Sequence, residues 1–355
     1  MQSVINAIDF LNFAKDKAIS LLDVRAEVEF ARGALPNSVN IPILTTEERH
    51  LVGISYKQQG REAAILLGQE LVNETKRTTR VQAWKTFLQN QSTPFLTCFR
   101  GGMRSRYAQE WLAADGLPCT RITGGYKALR HELLKQISLP RKGIILSGLT
   151  GTGKTSLLQS LASTRVIDLE KFAAHRGSAF GSSMDIPQPA QQTFENSLGF
   201  ALLKNPLDAT LLFESESRLI GKNVIREDFF EQLRTMPRVE LIASMDLRTN
   251  NLFKEYVTGT LEKHSSAEIF SYYAKALHSI RNRLGGKDHD SIFGQMQIAF
   301  ARSATWENHR SWIESLLVRY YDPLYQHAQS RRNGEISFEG SAEEIREWLR
   351  ERQGF

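Results

Sequence analysis

Gly143-Ile144-Ile145-Leu146-Ser147-Gly148-Leu149-Thr150-Gly151-Thr152-Gly153-Lys154-Thr155 is the stretch on which the fold of this chain turns. Gly143 to Ser147 reads as a short buried strand, and Ser156 to Ala162 has the spacing of a helix. Between them lies a complete Gly-x4-Gly-Lys-Thr loop. A strand, this loop and a helix in that order make a phosphate cradle. Backbone N–H groups from Gly151 to Lys154 wrap the anion, with Gly148, Thr152 and Gly153 shaping the turn. Lys154 adds a point charge, and Thr155 is placed to reach a magnesium ion where one binds.

Downstream of the cradle, strands are expected at Val166 to Leu169, Thr210 to Phe213 and Val239 to Ala243. From about Asn250 to Gln329 the spacing is helical, and a last strand and helix follow at Glu335 to Phe338 and Ala342 to Arg350. Upstream, strands are expected at Ala18 to Val24, Phe95 to Phe99 and Cys119 to Thr123. Helices are expected at Gly60 to Val72, Val81 to Leu88, Ser105 to Ala114 and Tyr126 to Ile137. Pro36 to Pro42 reads as a loop. Strands that alternate with helices predict parallel sheets covered on both faces, with reactive groups at the carboxyl ends of the strands. The polar link Ser138-Leu-Pro-Arg-Lys142 marks a boundary. The chain is therefore read as α/β throughout, with a domain at 1–137, a linker at 138–142 and a phosphate-loop domain with a helical extension at 143–355.

A chain of 355 residues is long enough for two cores. Its formal charge of +6 suits a polyanionic partner such as RNA without proving one. Two cysteines, Cys98 and Cys119, argue against a disulfide scaffold and for a reducing, cytoplasmic setting. No apolar run is long enough to span a bilayer, and Met1 to Phe10 lacks the basic start of a signal peptide. The sequence sets no oligomeric state.

The second informative loop is Cys98-Phe-Arg-Gly-Gly-Met-Arg-Ser105. A thiolate is a strong nucleophile but needs help to form. Arg100 and Arg104, the N–H groups of a following helix, and glycines at 101 and 102 together predict a bowl that stabilises both a thiolate and an oxyanion, with Ser105 at its edge. Cys119 lacks such a loop and is expected to pack in the core. Opposite the phosphate cradle, Asp168, Glu214 and Glu216 are candidates for a metal side. Each can equally be a surface or salt-bridging carboxylate, and no set of histidines or carboxylates shows metal-ligand spacing in the linear sequence. His175-Arg-Gly-Ser178 and Phe180-Gly181 are candidates to line the site. Arg218, Arg248, Arg281 and Arg283 are read as solvated cations or as a lid. Lys76, Arg77 and Arg80 are read as solvated or as touching RNA, and the aromatic segment Trp306 to Tyr325 as core.

The first 137 residues resemble the rhodanese family. The resemblance rests on Asp23-Val-Arg25, on Phe30-Ala-Arg-Gly33 through Asn40-Ile-Pro42, on the Cys98 loop and on Thr123-Gly-Gly-Tyr126. One departure is that Cys98 and Arg104 are separated by one residue more than in the common sulfurtransferase loop. A wider bowl of that kind suits a tetrahedral, phosphate-like ion. Joined to the phosphate-loop half, the chain resembles the bacterial tRNA 2-selenouridine synthases. The further segments that carry this are Tyr56-Lys-Gln-Gln-Gly-Arg-Glu62, Asp168-Leu-Glu170, His175 to Ser178, Glu214 to Arg218 with Ile220-Gly221, and Tyr320-Tyr-Asp-Pro323.

This resemblance implies a transferase that acts on the anticodon wobble 2-thiouridine of tRNA. It implies S-geranylation from geranyl diphosphate, then replacement of geranylthiol by selenium from selenophosphate. By the family's pattern Cys98 carries selenium as a selenylated cysteine, and Arg100, Gly101, Gly102, Arg104 and Ser105 hold the selenophosphate. The chemistry of the phosphate cradle, with Lys154, suits the diphosphate of the geranyl donor. Selenophosphate and geranyl diphosphate are cosubstrates, magnesium is compatible with the cradle, and no tightly bound cofactor is expected. An ATP-dependent rhodanese-type sulfurtransferase that acts on RNA or a small molecule is the alternative.

Overall fold

A computed structural model describes residues 3–17, 19–161, 163–302, 304–329 and 334–355. Ala18 and Ala162, the expected ends of one strand and one helix, lie outside that set.

The chain forms two compact units, Met1–Leu139 with Ala190–Lys204, and Pro140–Pro189 with Asn205–Phe355. The units are thus not contiguous in sequence, whereas two contiguous domains were expected. The cause is the helix Gln191–Leu203, which packs on the helix Gly125–Ser138 of the first unit. Gly199 lets the two backbones touch, because a Cβ there would stand 2.5 Å from the Leu133 carbonyl oxygen. Arg130 pairs with Glu195, and the Asn196 side chain donates to the Ala34 carbonyl at 2.8 Å and to the Tyr126 hydroxyl at 3.1 Å.

In the first unit five strands, β1 (Val4–Ile5), β2 (Leu21–Asp23), β3 (Ser38–Asn40), β4 (Phe95–Thr97) and β5 (Thr120–Ile122), form a parallel sheet in the order β1-β5-β4-β2-β3. Strand β3 falls inside the stretch read as a loop; its three residues are flanked by Pro36 and Pro42, and those prolines dominate the local reading. The sheet is buried on both faces. Leu21 and Phe95 enter one core with Phe10, Tyr126 and Leu129. Their neighbours Leu22 and Leu96 enter the other with Trp84, Leu112 and Cys98. This period of two puts Cys98 on the Trp84 side as it leaves β4.

The second unit holds β6 (Lys142–Ser147), β7 (Val166–Ile167), β8 (Thr210–Glu214), a small hairpin of β9 (Leu219–Ile220) and β10 (Asn223–Val224), then β11 (Arg238–Leu241) and β12 (Ile336–Gly340). The main sheet is parallel, in the order β12-β11-β6-β8-β7. Ile144, Leu146, Leu212 and Val239 form one face of its core with Leu157, Leu158 and Ile345. The helical extension has its own core, built on Leu252, Tyr256, Tyr273, Ile292, Met296, Trp312 and Tyr320. The aromatic segment 306–325 therefore packs as expected. Two helices there pass into π-helical turns, Lys254–Thr258 and Leu317–Tyr321, a distortion that recurs at functional sites.

Candidate functional site

In the first unit the site begins where β4 ends. Cys98 is only 2% exposed. Its Sγ donates to Ser105 Oγ at 3.1 Å, and that hydroxyl donates to the Gly102 carbonyl at 3.0 Å. The loop is pinned from below by the turn after β5. Tyr126 N–H donates to the Cys98 carbonyl at 2.8 Å and Lys127 N–H to the Phe99 carbonyl at 3.0 Å. Gly101 has φ +64° and Gly125 has φ +59°. A Cβ on Gly125 would stand 2.3 Å from the Cys98 carbonyl oxygen, and one on Gly101 would stand 2.7 Å from Gly124 N. Gly102 differs: nothing lies within 4 Å of a Cβ there, so neither φ nor space requires its glycine.

Among the described residues, no backbone N–H from Phe99 to Ser105 donates to a protein acceptor. These groups lead into the N-terminus of the helix Met103–Ala114. Groups placed in this way can line an anion bowl by backbone rather than by arginine.

The two arginines stand differently from the expected cup. Arg104 is turned to Glu29, with nitrogen–oxygen distances of 2.5 and 3.1 Å. Burial weakens the hold of Arg104 on its proton, but the hydrogen bond and charge of Glu29 outweigh it, and the nearby Cys98 sulfur adds to the rise in its pKa. Arg100 is exposed, with its guanidinium carbon 5.9 Å from the Phe99 ring centroid. Neither guanidinium makes a hydrogen bond to Sγ among the described contacts, and the sulfur is covered. Cys119 is buried, and desolvation pushes its thiol up to about 12. That suits the packing role expected for it.

Below the loop, Arg25 and Asp23 form a buried ion pair at 2.7 Å. Arg25 also donates to the Gly33 carbonyl at 2.7 Å and lies 3.7 Å from the Tyr126 ring centroid. The Asp-Val-Arg and Gly-Gly-Tyr segments thus meet in one support. Lys76 and Arg80 are bound to Glu48, and Arg77 lies over Trp111, so each cation of this cluster has a partner within the fold.

In the second unit the loop after β6 forms the phosphate cradle. Gly151 and Gly153 have φ +82° and +93°. The N–H groups of Gly151, Gly153, Lys154 and Thr155 have no protein acceptor among the described residues. Lys154 Nζ folds back onto the carbonyls of Gly148 and Leu149, at 2.8 and 3.3 Å. The helix Met245–Phe253 braces the loop: Arg248 donates to the Thr150 carbonyl at 2.9 Å, and Asn251 to the Gly151 carbonyl at 2.9 Å. Arg248 is 3% exposed and paired with Asp322, so it is a brace and not a lid cation. Arg218 is paired with Glu227.

Beside Thr155 the structure gathers three carboxylates that linear spacing did not reveal. Oxygens of Glu170, Glu214 and Glu216 lie within 4.8 Å of one another. Glu214 ends β8, the strand next to β6, and is 1% exposed with Oε2 unpartnered among the described contacts. Thr155 Oγ1 is 3.5 Å from Glu170. Burial first, then the Glu216 charge, pushes the Glu170 carboxyl up to about 9. Burial and the Glu170 charge likewise raise Glu214. Asp168 takes another role, because its carboxylate accepts from Lys171 N–H at 2.8 Å and caps the short helix Leu169–Ala173. Glu170 takes the place expected for Asp168; the Asp168-Leu-Glu170 segment contained it, but only the turn after β7 decides which acid points inward. The segment 175–181 does line this region. A Cβ on Gly177 would stand 2.4 Å from Glu216 and 2.8 Å from Glu170, and Arg176 pairs with Glu255 of the first π-helical turn.

Residues 141–354 match the model of the tRNA 2-selenouridine synthase AAA domain, and residues 7–132 match the rhodanese-like domain. A tRNA 2-selenouridine synthase of Shewanella sp. strain ANA-3 is 41% identical over 345 residues, covering 93% of this chain and 94% of its own. A protein of the same name from Marinobacter nauticus is 39% identical over 361 residues, covering 97% of both chains. Among solved structures, a rhodanese-related protein of Thermoplasma volcanium aligns with 37% of this chain and 92% of its own, at 25% identity and a TM-score of 0.23.

Proposed function

The chain belongs to the tRNA 2-selenouridine synthase family, and from that membership we propose that it exchanges the 2-thio sulfur of a tRNA wobble uridine for selenium in two steps. In the first, the thiocarbonyl sulfur attacks C1 of geranyl diphosphate. A C–S bond forms, the C–O bond to diphosphate breaks and the uracil N3 proton is lost. Alkylation makes C2 more electrophilic and converts the sulfur into a thiol leaving group. In the second step S-geranyl-2-thiouridine, selenophosphate and water give 2-selenouridine, geranylthiol and phosphate. In that exchange the Cys98 thiolate takes the phosphoryl group from selenophosphate: an S–P bond forms and the P–Se bond breaks. The released hydrogen selenide attacks C2 and expels geranylthiol, after which water cleaves the S–P bond to give phosphate and the free thiol.

The observation that carries this reading is the run of N–H groups without acceptors from Phe99 to Ser105, rooted at the Cys98 sulfur. A run of that kind holds a tetrahedral oxyanion by backbone alone. It leaves Arg104 free to stay with Glu29 until a phosphorylated donor arrives. In the other unit the cradle amides and Lys154 take the diphosphate and offset its charge as it leaves. Glu170, Glu214 and Glu216 offer the all-oxygen donor set of a hard divalent cation such as magnesium, which when bound would screen the diphosphate charge.

The test is mass spectrometry of tRNA nucleosides after incubation of the purified protein with geranyl diphosphate and selenophosphate. The wild type should yield 2-selenouridine, and Cys98→Ser should stop at S-geranyl-2-thiouridine. Selenium incorporation by a folded Cys98→Ser protein would refute this role of Cys98. Lys154→Ala should lose geranylation first; a full first step in that variant would remove the cradle from it.

One observation favours a second reading of the cradle. Glu214 ends the strand beside β6, where a nucleotide-binding site places its metal-side acid. A nucleoside triphosphate at that loop would then drive an ATP-dependent sulfurtransferase. ATP turnover stimulated by tRNA, in the absence of geranyl diphosphate, would support this second reading over the first.

A further inference from the structure

The turn from Tyr56 to Glu62 joins the helices Thr46–Gln59 and Arg61–Leu71, and all seven of its residues are exposed. Tyr56 is 60% exposed, unusual for a ring that has no structural work to do there. Gly60, with φ +89°, closes the first helix through its N–H to the Tyr56 carbonyl at 3.2 Å and opens the second. Nothing lies within 4 Å of a Cβ at Gly60, so the turn projects into open space.

This turn reaches the Cys98 loop. Arg61 Nη2 lies 3.7 Å from Met103 Sδ, and Met103 begins the helix whose first N–H groups line the bowl. Lys57 and Arg61 have no carboxylate within ion-pair distance among the described residues. Nor do Arg100, in the loop itself, and Lys127, whose N–H holds the loop at Phe99. Elsewhere in this unit Arg25, Arg49, Arg80, Arg104, Arg106 and Arg130 are each ion-paired, Lys17, Arg77 and Lys204 lie over aromatic rings, Arg121 donates to the Gly101 carbonyl, and Lys15 and Arg32 have no ion pair among the described residues. Four cations without a carboxylate partner, Lys57, Arg61, Arg100 and Lys127, thus belong to this turn, to the Cys98 loop and to the segment that holds it, with Arg61 in contact with Met103. Glu62, the acid in the turn, sits in the first turn of its helix, where its charge suits the helix dipole.

We propose that the Tyr56–Arg61 turn is the platform for a single-stranded RNA nucleotide next to the one being modified. Its base stacks on Tyr56, and its phosphate is held by Arg61 and Lys57. The following nucleotide then enters between Arg100 and Lys127 toward Cys98. An exposed ring with adjacent uncompensated cations is the chemistry by which unstacked nucleotides are held. This inference rests on RNA being the substrate.

The test is fluorescence anisotropy with a labelled anticodon stem-loop that bears 2-thiouridine, titrated with the full chain at several salt concentrations. Tyr56→Ala should weaken binding about tenfold, Tyr56→Phe should bind within about twofold of wild type, and Arg61→Ala should lower the salt slope by about one. Iodoacetamide labelling of Cys98 should be the same in all three, because no substituted residue touches the sulfur. Wild-type affinity in Tyr56→Ala overturns the platform and leaves the enzyme reading intact. Absence of stem-loop binding by the wild type overturns both.

Discussion

Arg104 spends both terminal nitrogens on Glu29, which also accepts from Ala26 N–H at 3.1 Å and forms an ion pair with Arg49 at 3.2 Å. The arginine that the sequence places over the sulfur is therefore held by an acid from the helix Glu27–Arg32. Burial pushes the Glu29 carboxyl up, but the Arg104 hydrogen bond and charges outweigh it, and the net pKa is lowered. A carboxyl with a lowered folded-state pKa stabilises the fold fully above the ordinary carboxylate range, and that contribution is lost as pH falls through the folded value. Glu29→Gln should cost about 1–2 kcal/mol near neutral pH, discounted because Arg104 is a quarter exposed. Its urea midpoint should fall less than that of wild type as pH drops below about 4. Parallel acid limbs in the two proteins would show that the pair does not couple to folding.

Among the described residues, the Ser105 hydroxyl is the one side-chain group bonded to the Cys98 sulfur. It accepts from the thiol and, by rotating, can donate to a thiolate. A hydrogen bond to a charged group is worth about 1.5 kcal/mol or more, which is roughly tenfold in rate. Ser105→Ala should slow iodoacetamide alkylation of Cys98 by about that factor at mildly alkaline pH. Cys119, with its thiol near 12, serves as the internal reference and should stay unlabelled in both proteins. Labelling of Cys119 before Cys98, read by peptide mass, would contradict the assignment of the reactive cysteine.

Gly125 is where the turn after β5 presses on the Cys98 loop, and an added Cβ would meet the Cys98 carbonyl oxygen and Gly101 N, both backbone atoms. Neither can move without dragging the loop. Gly116 has a comparable φ of +82° but open space around it. Gly116→Ala should therefore cost only the backbone term, about 1 kcal/mol. Gly125→Ala should cost about 3 kcal/mol or more. Equal urea midpoints for the two variants would remove the steric part of this account.

How much of this was legible in the sequence follows from where the signals are local. Strand β6, its loop and its helix are encoded in one continuous segment, and so are β4 and the Cys98 loop; both are where the residues place them. The helix Gln191–Leu203 reads as part of the second half because nothing in its own residues shows that Gly199 must meet Leu133 of the first. Arg248 reads as solvated because its partners, Thr150 and Asp322, lie 98 and 74 positions away. The turn of Arg104 toward Glu29, 75 positions away, is hidden for the same reason. The acids beside Thr155 are partly legible: the sequence points to Glu214 and Glu216, but to Asp168 rather than Glu170, because a strand end does not reveal which of two nearby acids becomes a helix cap.

That acid cluster supplies the last prediction, on how protons and a cation compete for one site. Burial and its acidic neighbours push Glu170 up to about 9, well above its value in the unfolded chain. Between the ordinary carboxylate range and about 9 the folded protein thus holds a proton that the unfolded protein has lost, and stability should fall as pH rises across that window. A divalent cation that takes the place of the proton should reverse the trend. Millimolar magnesium should raise the melting temperature by about 3 °C or more near pH 8.5 and much less near pH 6, where protons hold the site. Glu214→Gln replaces a buried acid, whose pKa burial raises, by a neutral amide, so without metal it should melt higher than wild type at the alkaline pH and lose the magnesium response. A magnesium effect of the same size at both pH values, or one retained in Glu214→Gln, would place the cation somewhere other than these three carboxylates.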